Sequence, residues 1–156
     1  MDSSAWIGFS ILVAVILLLG YVRKASSAHS KKLGKLFDRI CKEKKLHIAE
    51  KIHWDTGIIG IDPEKSAVAF VQEHNHILEH SIFYLTSINS CKVIHDRKPN
   101  STKIVLAFDF GDANMQPFNL CFYDSSIDIL ASLPELKEKA EKVKDAVQEL
   151  IQKRIK

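Results

Sequence analysis

The stretch KIVLAFDFGDANMQPFNLCFY, residues 103–123, decides the fold. Ile104, Leu106, Phe108 and Phe110 occupy every second position, with Lys103, Val105, Ala107 and Asp109 between them. Successive side chains of a strand leave opposite faces, so this alternation predicts a strand with one wholly apolar face. Phe118, Leu120 and Phe122 repeat the pattern against Asn119, Cys121 and Tyr123. The seven residues Gly111–Pro117 that join the two runs are too few for a crossover, which makes the pair an antiparallel hairpin.

Working upstream, the same period of two begins near residue 48. Ile58–Ile61 and Ala67–Val71 flank Asp62-Pro63-Glu64-Lys65, where proline at the second turn position presets its dihedral for a tight reversal. Ile82, Tyr84, Thr86 and Ile88 alternate with Phe83, Leu85 and Ser87, predicting one strand through 82–88 and a further short one at Cys91–Ile94, after Asn89. Six or seven strands in a meander, connected this briefly, exclude a parallel sheet. Downstream the period changes to that of a helix over about 132–155. Ser132 with Glu135 forms a capping box, and Pro134 falls in the first turn, where its missing donor is not needed. Leu133, Leu136, Ala140, Val143, Val147 and Leu150 make one apolar stripe, and Glu135/Lys139, Glu138/Lys142 and Glu149/Lys153 are spaced for i, i+4 ion pairs. The stripe is short for a coiled coil, so packing on the sheet is the expectation, with pairing of two copies through this helix as the alternative.

Taken in order, GIIGID, SAVAFV and YLTSINSCKVI followed by a single C-terminal amphipathic helix resemble the small pleckstrin-homology-like domains that bacteria attach to a membrane helix. The echoes are Ile61-Asp62 before a turn and Ser87–Ile94 running through Ser-Ile into Cys-Lys-Val-Ile, over roughly residues 48–150. The resemblance implies an α+β fold: an open antiparallel barrel of about seven strands capped by the C-terminal helix. It implies binding or scaffolding rather than catalysis. It supplies no site residue, since Asp62–Lys65 is not a basic, phosphoinositide-type loop.

The N-terminal end places this domain. Trp6–Val22, WIGFSILVAVILLLGYV, holds no charge over seventeen residues and at about 1.5 Å per residue approaches the thickness of a hydrocarbon core. Trp6 and Tyr21 sit at its ends as interfacial rings, and Arg23 and Lys24 follow as snorkelling anchors. A cleaved signal peptide fits poorly, because Asp2 is the one side-chain charge before the span and the bases all follow it. The expected topology is a single pass through the cell (inner) membrane, with a short N-terminus outside and the domain in the cytoplasm. Cys41, Cys91 and Cys121, odd in number and without a C-x-x-C pair, suit that reducing side as core residues.

Between span and sheet, Arg23–Lys45 holds nine Lys or Arg against Asp38 and Glu43, net +7, whereas Leu46 onward holds thirteen basic and sixteen acidic residues, net −3. Leu33, Leu36, Phe37 and Ile40 share one helical face over roughly 31–45. Two readings stay open. Either this helix lies in the membrane interface with Lys31, Lys32, Lys35, Arg39 and Lys42 on anionic headgroups, or its stripe packs on the domain and the bases form a solvated face. Nucleic acid is a poor partner for bases this close to lipid and with no interleaved aromatic residue except Phe37. The expected division is therefore a transmembrane helix at 6–22, a basic juxtamembrane linker and helix at 23–45, and the domain at 46–156.

Catalytic patterns are few. His76-Ile-Leu-Glu79-His80 spells H-x-x-E-H, a zinc motif that needs a helix, yet it falls between strand patterns. Asp109-Phe110-Gly111 lacks the phosphate loop and the length a kinase requires. Cys91 and His95 stand about 13 Å apart along an extended strand, beyond reach of each other. With no G-x-S-x-G, P-loop or nucleotide fingerprint, the expected function is not enzymatic and needs no cofactor. It is a membrane-tethered scaffold binding a protein partner. The alternative is an anionic-lipid-sensing or membrane-organising protein acting through the basic helix, and the remote one a metal-dependent hydrolase using His76, Glu79 and His80.

Overall fold

A computed structural model describes residues 29–74, 77–111, 116–128 and 131–155, with residues 154 and 155 as backbone only. The described part of a helix, α1, covers 29–43. Four strands follow, β1 (Glu50–Trp54), β2 (Gly57–Asp62), β3 (Ala67–His74) and β4 (Ile77–Tyr84), then a 3-10 turn at Leu85–Ser87. The chain continues with β5 (Ile88–Lys98), β6 (Ser101–Phe110), β7 (Phe118–Asp124) and the helix α2 (Leu133–Ile155). The protein is α+β, with two antiparallel sheets ordered β1-β2-β3-β4 and β5-β6-β7, and a C-terminal helix. Trp6–Val22 and the anchors Trp6, Tyr21, Arg23 and Lys24 lie outside the described residues. Among those described, no helix is long and apolar enough to cross a membrane.

The two sheets face each other across one core. Ile59, Ile61, Val68 and Phe70 from the first meet Ile104, Leu106, Phe108 and Phe122 from the second. Trp54 stacks on Phe122 at 4.3 Å between ring centroids, and Phe83 lies 5.5 Å from Phe110. The helix α2 closes this core with Leu136, Ala140, Val143 and Val147, all buried. Its apolar stripe is thereby occupied within one chain. Two of the expected helix pairs form, Glu135–Lys139 at 2.7 Å and Glu149–Lys153 at 2.6 Å. Lys142 instead reaches Glu50 of β1 at 2.9 Å, tying the helix to the first sheet.

The opposite face of the first sheet is covered as well. Leu33, Phe37, Ile40 and Cys41 of α1 pack on Ile58, Ala67, Ala69 and Val71. Every residue of β2 and the first six of β3 are therefore buried, which explains why these strands carry continuous apolar runs where a one-sided strand would alternate. The small residues Ala67, Ala69 and Gly60 let the helix come close. A Cβ on Gly60 would stand 2.6 Å from Phe37 Cζ.

Three local expectations are corrected. The strand expected through 82–88 breaks at Leu85–Ser87, because Leu85 is buried and donates its N–H to Ser66 O at 2.7 Å while the chain turns from one sheet into the other. The short strand expected after Asn89 is part of the eleven-residue β5, and Asn89 is the extra residue of a bulge between Ile88 and Ser90. The helix expected to reach residue 45 ends at 43. Leu46 N–H bonds Cys41 O at 2.8 Å and Lys45 N–H bonds Lys42 O at 3.1 Å, a Schellman closure with Lys45 in the left-handed region at φ 53°. Its apolar clasp is Leu46 beside Cys41, both in the core under α1. Residues 29–43 thus pack into the same folded unit as the sheets rather than forming a linker.

One ionic network pins the end of β7. Asp124 accepts from Lys103 Nζ at 2.6 Å and from Ser126 Oγ and N at 2.6 and 3.0 Å. Burial alone would raise its carboxyl, but these donors and the Lys103 charge outweigh it and hold the pKa down to about 2. A folded pKa below the unfolded value contributes stability that is present above pH 4 and is lost as pH falls from about 4 toward 2. Asp124→Asn should therefore cost about 2 kcal/mol at pH 7, and the difference from the unaltered chain should vanish near pH 2. Urea titrations at a series of pH values check this, and a pH-independent difference would contradict it.

Candidate interaction surface

The period of α1 separates two faces. With Leu33, Phe37, Ile40 and Cys41 turned to the sheet, Lys31, Lys32, Lys35, Arg39 and Lys42 stand on the opposite side, all exposed. Of the two readings of this helix, the stripe packs on the domain. That stripe is covered by the sheet, while the bases are exposed. Among the described residues, no acidic side chain pairs with any of the five. Asp38, one of the two acids in this part of the helix, is engaged by Lys51 Nζ at 2.7 Å, and the same ammonium stands 4.8 Å over the Phe37 ring. The ridge is therefore a rigid row of cations, about 16 Å long at 1.5 Å per residue from Lys31 to Lys42.

Beside the ridge runs β4, one of the two edge strands of the first sheet. Its even positions face α1, since Ile82 packs with that helix while Phe83 joins the core between the sheets. Two open grooves lie between helix and strand. One of about 550 Å³ is lined by Lys31, Lys32, Lys35, Leu36, Arg39 and Leu78. The other, about 350 Å³, is bounded by Ile40, Glu43, Lys44, His80, Ile82 and Tyr84. Ile77 is 61% exposed, Leu78 38% and Tyr84 49%. These three were not candidates on sequence grounds. Their alternation resembles that of any strand, and what sets them apart is position at an edge.

Among the described residues, the catalytic patterns lie on strands or at their ends. Glu79 and His80 are neighbours on β4 and leave opposite faces of a strand where H-x-x-E-H needs a helix; His76 lies outside the described residues. Among the described residues, no group of three or more His, Cys, Asp or Glu is placed to hold a metal ion. Burial pushes the Cys91 thiol up to about 12, and burial with Asp124 and Asp128 pushes Cys121 up to about 11. Cys41 is raised in the same way. A thiol held this high is a poor nucleophile at neutral pH. Asp109-Phe110-Gly111 ends β6, with Phe110 in the core. Asp62 is also structural: burial would raise it, but backbone N–H groups of Lys65 and His47 at 2.9 and 2.7 Å hold it low and brace the β2–β3 turn. No protein family, curated protein or solved structure matches the chain.

Proposed function

We propose that the protein is a single-pass, membrane-tethered interaction module, in which Trp6–Val22 holds a pleckstrin-homology-like domain at the cytoplasmic face of the inner membrane to bind a protein partner. The observation that carries this reading is β4: an edge strand with exposed apolar side chains, flanked by a groove, offers main-chain groups and a side-chain pocket to an extended segment of another protein. Seven antiparallel strands with a C-terminal helix agree with the resemblance, and the strongly shifted carboxylate and thiols serve the core and a turn, which favours binding over catalysis.

A photo-crosslinker at Tyr84 in the full chain, expressed in its native membrane, should give a discrete protein adduct. The same probe at Lys137, on the solvent side of α2, should give none. Equal labelling from both positions, or reporter activity outside the cytoplasm from a fusion after Lys156, would overturn the proposal. A second reading is favoured by the unpaired ridge of Lys31, Lys32, Lys35, Arg39 and Lys42: the domain senses anionic lipid, at about 1 kcal/mol per nearby base.

A further inference from the structure

We infer that the end of the domain holding His29 of α1 and Ile77 of β4 is a membrane-docking face, on which Ile77 enters the boundary layer of an anionic bilayer while Lys31, Lys32 and Lys35 engage its headgroups. This deepens the lipid-sensing reading and rests on the tethered topology.

Three observations converge on that end. His29 Nδ1 stands 3.7 Å from Glu73 Oε2, so this part of α1 lies beside the end of β3. His74 pairs with Ile77 across the β3–β4 hairpin, which places Ile77 and Leu78 at the same end. Leu78 lines one groove with Lys31, Lys32, Lys35 and Arg39. Leu78, bordered by these cations, and the exposed Ile77 beside it on the other face of β4 suit the region where acyl chains meet anionic headgroups. Of the nearby acids, Glu73 faces His29, and Glu79 lies about 7 Å further along the strand from Ile77.

The length of the tether makes bilayer the occupant. Only residues 23–28 separate Val22, the last of the apolar stretch, from His29. Fully extended, that connection reaches at most about 25 Å. A domain of this size has a radius of gyration of about 14 Å, so its width exceeds the tether. His29 cannot leave the neighbourhood of the bilayer, and Ile77 and Leu78 stay with it. The distal groove at His80–Tyr84 remains open to a protein.

The test uses the full chain with Ile77→Trp as reporter and Trp6→Phe to remove the tryptophan in the apolar stretch; Trp54 is buried and supplies a constant background. Ile77 is exposed, so the exchange should leave folding intact. In vesicles with one third anionic lipid, roughly the charge of a strongly anionic leaflet, the reporter should emit to the blue and be quenched by bromine placed high on the acyl chains. Quenching should fall several-fold in zwitterionic vesicles and with Lys31→Gln, Lys32→Gln and Lys35→Gln combined. Unquenched, water-like emission in both vesicles overturns the inference, as does equal quenching in both. A blue shift without quenching that grows with protein density would assign the face to a second copy and also overturn it. Alkaline carbonate extraction separates the two levels: a chain that is released has no span, and the tethered reading falls with it, whereas a retained but unquenched chain refutes the docking face alone.

Discussion

Val143→Asp should leave the chain without its sheet and helix signals at neutral pH. Val143 is fully buried between Ala140 and Val147, in the core that α2 shares with both sheets. A carboxylate there would lose its hydration with no cationic partner in the cluster, at a cost of several kcal/mol, beyond the loss of the valine's packing. The whole stability of a domain this size is about 5–15 kcal/mol, so one such charge removes most of it. Far- and near-UV circular dichroism of the full chain in mild detergent, with sedimentation, gives the readout. Lys137→Asp, on the exposed side of the same helix, should stay folded. Were the stripe instead the seam between two copies, Val143→Asp would keep its dichroism and lose only its partner.

The parts of the fold legible in the sequence were those in which one period dominates a single buried face. Ile104–Phe110 and Phe118–Phe122 alternate because each strand has one face in the core, and the structure pairs them as expected, with Phe108 opposite Phe118. The stripe of α2 was legible for the same reason. Where the chain changes layer, periodicity misled: Ile82–Ile88 continues its alternation through the 3-10 turn, because Leu85 stays buried while the backbone turns a corner. Contact across the domain was not legible at all. Nothing local shows that Lys142 meets Glu50 rather than Glu138. The candidate surface divided similarly. The five bases of α1 were visible as a charge run, whereas Ile77, Leu78 and Tyr84 acquire meaning only from the strand order that leaves β4 at an edge.

The role of α1 was the open question of the sequence, and it has its own test. A continuous apolar run within an antiparallel strand, as in Ile58–Ile61, is a sign that both faces are covered, and the second cover is Phe37. Phe37→Ala should cost about 3–5 kcal/mol, the usual range for emptying a buried aromatic site, and lower the melting temperature by roughly 10–20 °C. Hydrogen exchange should rise through 33–43 by more than in α2, because the ring holds one helix and not the other. Gly60 makes the cause separable. A methyl there would press within 2.6 Å of Phe37 Cζ and 2.8 Å of Ile48 Cγ2, so Gly60→Ala alone should destabilise. With the ring already gone, only the contact with Ile48 remains, and Gly60→Ala should cost less than it does in the unaltered chain. The coupling between the two substitutions, about 0.5–3 kcal/mol for residues in contact, is the quantity to measure by urea unfolding of the four chains in the cycle. Strictly additive effects would mean that Phe37 does not rest on Gly60, and the basic ridge would then lack the rigid mounting that its proposed work at the membrane requires.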